Sequence, residues 1–221
     1  MARDAIVYVV DDDIDFLESL KSILEAADFR VKIFPSARQL MDTVEVAPNS
    51  CVVADIRMPG IDGLELQRQL KERRLNIPII FISGYGDVAL AVRAMRQGAV
   101  DFIEKPVNEA MLIESVNRAI QASRNSWERV NAEERARALV STLSAREKEV
   151  FHLLAQGLQN ADISNRLNIS TRTVEVHRAN LYRKLEVKNL AALVRLALLA
   201  GLVSPTSLFE SPAGTPPTSA Q

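Results

Sequence analysis

The sequence predicts two folded parts of different class. Residues 4–122 read as an α/β domain, a doubly wound five-stranded parallel sheet. Residues 139–203 read as an all-α domain of four helices, and a helical linker at 123–138 joins the two. Three observations carry this reading. Five short β-branched runs alternate with stretches whose apolar residues recur three and four apart. That alternation stops after Ile120, and from Leu143 onward helix signals follow one another across tight turns.

The elements follow in order. AIVYVV, FRVKIF, SCVVAD, PIIFIS and AVDFIE read as strands bounded by turn or acidic residues. Phe16, Leu17, Leu20, Ile23 and Leu24 stripe one face of a first helix, and Ala37, Leu40, Met41 and Val44 a second. Leu64, Leu66 and Leu70 mark a third, while Val88–Arg96 and Met111–Ile120 supply two more. Nearly continuous apolar strands require a sheet covered on both faces. After Ile120 the chain turns polar and lacks Gly and Pro until Gly157. Ile113, Val116, Ile120, Trp127, Val130 and Ala138 leave a thin apolar seam, as a helix able to pair with a second copy would show.

In the second part, Ser144 and Glu147 form a capping-box signature that opens a helix through Gln156, and Gly157 stops it. A short helix spans Asn160–Leu167, Asn168-Ile169-Ser170 make a turn, and Thr171 caps a helix to about Leu185. Leu190–Leu199 is a last, almost wholly apolar helix. The segment 204–221, rich in Pro, Ser and Thr, is expected to be disordered.

Composition limits the function classes. Hydrophobic content of 48% and charged content of 25% suit a globular chain. No apolar run approaches the roughly 20 residues that span a bilayer, and acid arrives too early at the start for a signal peptide. One cysteine, Cys51, permits neither an intrachain disulfide nor a Cys-based zinc site. A cytoplasmic protein without membrane contact is the expectation. Residues 139–203 carry nine Lys/Arg against five Asp/Glu, so a chain of net charge −1 joins a mildly basic part to an acidic one.

Polar residues gather at the predicted strand ends. Asp11 and Asp12 follow the first strand, Asp55 ends the third, Ser83 ends the fourth, and Lys105 follows the fifth. In doubly wound sheets this edge holds the ligand. Asp11, Asp12 and Asp55, with the backbone carbonyl of Arg57, offer the hard oxygen donors that Mg²⁺ takes. An Asp carboxylate can attack phosphorus, and a cation, Lys105 and the Ser83 hydroxyl would stabilise the charge on the transferring group. Asp13 and Asp15 read more simply as helix-start acids.

The helix after Thr171 divides by face. Val174, Leu181 and Leu185 point to a core, and Glu175, Val176 and Ala179 lie opposite, flanked by Arg172 and Arg183. Helix, tight turn and helix is an arrangement that enters the major groove of DNA, with short residues toward bases and arginines toward phosphates. His177, with no second ligand nearby, reads as a structural or phosphate-contacting residue.

The strings DDD, DIRMPGIDGLEL, PIIFISGYGD and GAVDFIEKP resemble the flavodoxin-like receiver domain of two-component response regulators. The resemblance implies that Asp55 is the phosphoacceptor, that Asp11, Asp12, Asp55 and the Arg57 carbonyl hold Mg²⁺ (or Mn²⁺), and that Ser83, Phe102 and Lys105 form the switch and phosphate-binding set. The Lys105-Pro106 bond is cis in many members. Val107 departs from the aromatic residue common at that place. LSAREKEVFHLLAQG…TRTVEVHRANLYRKL resembles the LuxR-type helix-turn-helix. The pair of domains resembles the NarL/FixJ family, and TRTVEVHRAN its FixJ branch. Base-facing Glu175, Val176 and Ala179, DNA-contacting Arg172, Arg178 and Arg183, and a dimerisation helix with Leu190, Leu193, Val194 and Ala197 are then implied. So are a sensor histidine kinase, double-stranded promoter DNA, RNA polymerase and a phosphorylation-dependent homodimer as partners. Chemistry would be limited to phosphorylation and dephosphorylation of the chain's own Asp55.

Two other classes stand beside this one. A phosphatase using an Asp nucleophile lacks support, because Ile56 and Arg57 follow Asp55 where a D-x-D pattern would place a second acid. A receiver that acts by protein contact alone would show no salt-dependent DNA binding. An ATPase-linked regulator is excluded by the lack of a G-x-x-x-x-G-K-[ST] loop.

Overall fold

Burial on both faces of the strands dictates the first half of the structure. The computed structural model describes residues 4–44, 47–84 and 88–204. Its first elements are β1 (Ile6–Val10), α1 (Ile14–Ala26), β2 (Arg30–Phe34), α2 (Ala37–Thr43), β3 (Ser50–Asp55), α3 (Gly63–Glu72), β4 (Ile79–Ser83), α4 (Val88–Arg96) and β5 (Asp101–Glu104). The parallel sheet has the order β2-β1-β3-β4-β5. Alternate residues serve opposite cores. Tyr8, Val10, Val52, Ala54 and Phe81 meet Leu40, Leu66, Leu70 and Ala94 of α2, α3 and α4. Val7, Val9, Val53, Ile80, Ile82 and Ile103 meet Leu17, Leu20 and Leu24 of α1 and Leu112, Val116 and Ala119 of α5 (Glu109–Ser141). Every residue of β3 and β4 is buried, whereas the edge strands β2 and β5 are partly exposed.

Strand order reverses between β1 and β3, which opens a crevice at their C-terminal ends. Asp11 lies just past β1 and Asp55 closes β3, so the crevice is flanked by carboxylates.

The chain divides into two compact units, 1–128 and 129–221. α5 is one helix of 33 residues, so the expected linker at 123–138 is helical but continuous with the helix before it. Its packing on the first unit continues past Ile120. The Ser50 amide donates to Ser123 Oγ (3.3 Å), and Arg124 Nε donates to Asn49 Oδ1 (2.9 Å).

The second unit contains α6 (Ala145–Ala155), α7 (Asn160–Leu167), α8 (Thr171–Lys184) and α9 (Leu190–Leu199). The Ser144–Glu147 capping box forms as expected. Gly157, at φ +85°, lets the Leu158 amide return to the Leu153 carbonyl and ends α6. One expected cap moves: Ser170, not Thr171, caps α8, its Oγ accepting the Thr173 amide at 3.1 Å, and Thr171 is already inside the helix. Val174, Leu181 and Leu185 pack as expected around Phe151, Leu154 and Ile163. Among the described residues no helix is long and apolar enough to cross a membrane. The segment 205–221 and residues 85–87 lie outside the described residues, as does most of the tail expected to be disordered.

Phe151 is fully buried among α6, α8 and α9. Phe151→Ala should cost roughly 3–5 kcal/mol through lost burial and the cavity left behind. Urea denaturation followed by helical circular dichroism checks this; an unchanged midpoint would contradict the packing described.

Candidate functional site

Four strand ends converge in the first unit. Asp11 is almost fully buried, and its Oδ1 accepts the Asp13 amide (2.9 Å). Asp13 itself caps α1 by accepting from the Asp15 and Phe16 amides, so the three consecutive aspartates separate into different tasks. Asp55 is also buried, and its Oδ2 accepts the Arg57 amide (2.7 Å). Between these two carboxylates stands the Lys105 ammonium, 3.0 Å from Asp11 Oδ2 and 2.9 Å from Asp55 Oδ1. The Lys105 amide donates to the Ser83 carbonyl (2.7 Å), which ties its position to the end of β4, and Lys105-Pro106 is cis. Ser83 is fully buried as the last residue of β4. Phe102, in β5, is partly buried against the core on the side of α2, α3 and α4.

Burial raises the pKa of Asp11, and the Asp13 amide and Lys105 offset only part of that rise. For Lys105, burial alone favours the neutral form, yet hydrogen bonds to Asp55 and Asp11 win and the pKa is raised. The ammonium therefore stays charged and neutralises a pair of acids. Phe16 adds to this, its ring face lying 4.1 Å from Lys105 Nζ.

The donors at this edge are carboxylate oxygens, and one cation already touches two of them, which suits a hard divalent ion. Among the described residues, no three acidic, His or Cys side chains are drawn into a ready-made metal cluster. Asp12 is exposed and lines the neighbouring cleft of about 460 Å³ together with Arg57, Met58 and Leu90.

Gly63 was not anticipated as a site residue. As the first residue of α3 it lies so close to β3 that an added Cβ would stand 2.7 Å from the Asp55 carbonyl oxygen and 2.9 Å from Ile56 Cα. Its own amide donates to the Ile56 carbonyl (3.0 Å). Asp62 caps the helix through the Glu65 amide (2.7 Å), so the D-G-x-E spacing of DGLEL is its only sequence signal.

In the second unit, Arg172, Glu175, Val176, Ala179 and Arg183 are all exposed along one side of α8. Arg178 is half-buried; it reaches Asn160 Oδ1 (3.4 Å) and lies over the Tyr182 ring. Asn168 takes the left-handed conformation at φ +51°, which turns the chain sharply between α7 and α8. The last turn of α8 is held by Lys184, whose Nζ donates to Glu147 Oε2 (2.7 Å) in the first turn of α6. Glu147 is buried, and the Lys184 and Ser144 hydrogen bonds hold its pKa down to about 2.

α9 differs from the expectation. Leu193 and Ala197 are fully buried in the core of their own domain, so they cannot form a dimer surface. A four-helix domain this small needs that apolar face for itself. Of the expected set, Leu190 is exposed and Val194 partly so.

Comparison with known proteins agrees with this division. Residues 7–117 match the response regulator receiver domain, and residues 141–197 the bacterial regulatory proteins of the luxR family. The transcriptional regulatory protein FixJ of Bradyrhizobium diazoefficiens is 40% identical over 90% of this chain and 97% of its own length. The structure of the response regulator StyR is similar with a TM-score of 0.77, at 38% identity, over 87% of this chain and 98% of that one. Full-length FixJ from B. japonicum follows at 0.54, with 39% identity over 90% of this chain and 98% of that one.

Gly63→Ala should cost about 1–3 kcal/mol, because the added Cβ would press on backbone atoms of Asp55 and Ile56 that cannot easily yield. Thermal melting reads this, and an unaltered Tm would show that α3 can retreat. Glu147→Gln should cost roughly 1–2 kcal/mol at pH 7, because glutamine can still accept from the Ser144 amide but loses the charged contact with Lys184. The Glu147 pKa is depressed on folding, so its contribution is complete above its ordinary pKa and lost as pH falls toward 2. Urea midpoints of wild type and variant should therefore begin to converge below about pH 5 and meet only near pH 2, and a gap that stays constant across that range would refute the ion-paired state.

Proposed function

The chain belongs to the response regulators that join a receiver domain to a LuxR-family DNA-binding domain, and from this we propose that phosphorylation of Asp55 by a sensor histidine kinase switches its binding to promoter DNA. The single observation that carries the proposal is the Lys105 ammonium held between the Asp55 and Asp11 carboxylates at the C-terminal edge of the sheet. In this reading an Asp55 carboxylate oxygen attacks the phosphorus of a phosphohistidine. The new O–P bond forms as the P–N bond breaks, and the imidazole leaves with the electron pair. Lys105 already sits where a phosphoryl oxygen would need a cation, and the hydroxyl of Ser83 ends the adjacent strand. Mg²⁺ (or Mn²⁺), held by Asp11, Asp12, Asp55 and the Arg57 carbonyl, would supply charge neutralisation when bound. The only reactions assigned to the protein are this acceptance and the later hydrolysis of its own phosphoaspartate.

Phosphorylation would move Ser83 toward the new oxygens and Phe102 inward. Exposed Val88, Val92 and Met95 of α4 and Met111 of α5 support homodimerisation through this part of the receiver. Exposed Leu190 and partly exposed Val194 would meet between two DNA-bound copies. On a two-fold operator, paired α8 helices about 34 Å apart would read successive major grooves. Glu175, Val176 and Ala179 would face bases, with Arg172, Arg178 and Arg183 toward phosphates or bases. RNA polymerase is the partner that a promoter-bound regulator would engage, and the cytoplasm is its place of work. The working boundaries are 4–122 for the receiver, 123–138 for the linker and 139–203 for the DNA-binding domain.

The test is to treat wild type and Asp55→Asn with acetyl phosphate and Mg²⁺, then measure mass, sedimentation and operator affinity. Wild type should gain one phosphoryl group, dimerise and bind DNA at least about tenfold more tightly, a difference of about 1.4 kcal/mol. Affinity should fall with salt by a logarithmic slope near −0.9 per phosphate neutralised. Equal responses in both proteins would sink the Asp55 mechanism.

A further inference from the structure

A groove on the DNA-binding unit has no part in the function argued above. It has a volume of about 570 Å³ and is lined by Arg137 and Val140 from the end of α5, Lys148 and His152 from α6, and Ala200 and Leu202 after α9. Its wall is mostly apolar, and Leu202 stands 42% exposed within it. No residue of α8 lines it, so an occupant would leave the base-facing side of that helix open.

We propose that this groove receives the chain's own C-terminal segment, with Leu208 and Phe209 against its apolar wall and Glu210 toward the Arg137 and Lys148 cations. The described chain ends at Ser204, two residues past Leu202, and another 17 residues follow. Leu208 is four residue steps from Ser204, a reach of up to roughly 13 Å in extended chain, and the groove wall at Leu202 lies two residues before Ser204. Composition selects the segment. Leu208 and Phe209 are the only large apolar side chains among residues 205–221, and Glu210 carries the only side-chain charge. Pro205 restricts Ser204 to extended conformations, and Pro212 stands on the far side of the apolar pair. Few conformations are then lost on docking. On the groove side, Glu149 is engaged by Arg146 (2.6 Å), whereas Lys148 makes no ion pair among the described residues.

Chymotrypsin cleavage after Phe209 in the full-length protein tests this, because cleavage follows the population of undocked tail. Wild type should be cut at least about tenfold more slowly than Leu202→Glu and Lys148→Glu. Both residues are exposed, so the fold survives each change, as circular dichroism would verify. As a second reading, Leu208→Ser/Phe209→Ser should raise amide hydrogen exchange in residues 196–203 severalfold. Equal cleavage in wild type and groove variants, or unaltered exchange, would overturn the proposal. Protection that grows with protein concentration would also overturn it, by assigning the groove to the tail of a second copy.

Discussion

One ammonium group organises the receiver half of this molecule. Lys105 bridges carboxylates that come from β1 and β3, on opposite sides of the reversal in strand order, and it arrives from the far edge of the sheet beyond β5. Two buried acids facing one another would repel strongly in a medium of low polarisability. The lysine makes the arrangement tolerable and keeps the crevice narrow enough for one cation to touch both acids. Burial of Asp11, the cation–π contact with Phe16 and the close seat of α3 against Asp55 surround that geometry.

The two halves solve the positioning problem differently. In the receiver, reactive side chains sit at the ends of fully buried strands, so the sheet register fixes them: Asp55 opposes Ile82, and Ser83 opposes Glu104. In the DNA-binding unit, the polar face of α8 is set by what its other face packs on and by the pair of helix-end contacts at Ser170 and Lys184. The first design gives fixed distances between reacting groups. The second gives a rigid exposed surface whose residues can be exchanged without disturbing the core.

Much of this was readable from the chain. Short, nearly continuous apolar runs and stripes of period 3.6 located the strands and helices of the first part, and cap and turn residues those of the second, because burial and helix ends leave those marks directly. The convergence of Asp11, Asp55, Ser83 and Lys105 was readable because strand ends in such a sheet share one edge. What escaped depended on distance between segments. Gly63 shows no polar signal; only the approach of the β3 backbone makes a Cβ impossible there. Asp12 reads the same as Asp11 in sequence, yet one points to solvent and the other into the crevice. Leu193 and Ala197 share the apolar pattern of Leu190 and Val194, and hydropathy cannot say which apolar residues a small core consumes. Ser170 and Thr171 can both cap a helix, and the extended backbone at Ser170 settles which one does.

The Glu147 carboxylate has a consequence for how this domain can vary. It accepts from the Ser144 amide at the start of α6 and from Lys184 at the end of α8, so one side chain serves two helices. The ion pair cannot be inverted. A lysine at 147 has three donors and no acceptor, and would leave the Ser144 amide unanswered. Lys184 makes only a point-charge contact, which an arginine could replace. Of the two partners, position 147 is therefore the rigid one, and change is confined to the cationic side in α8.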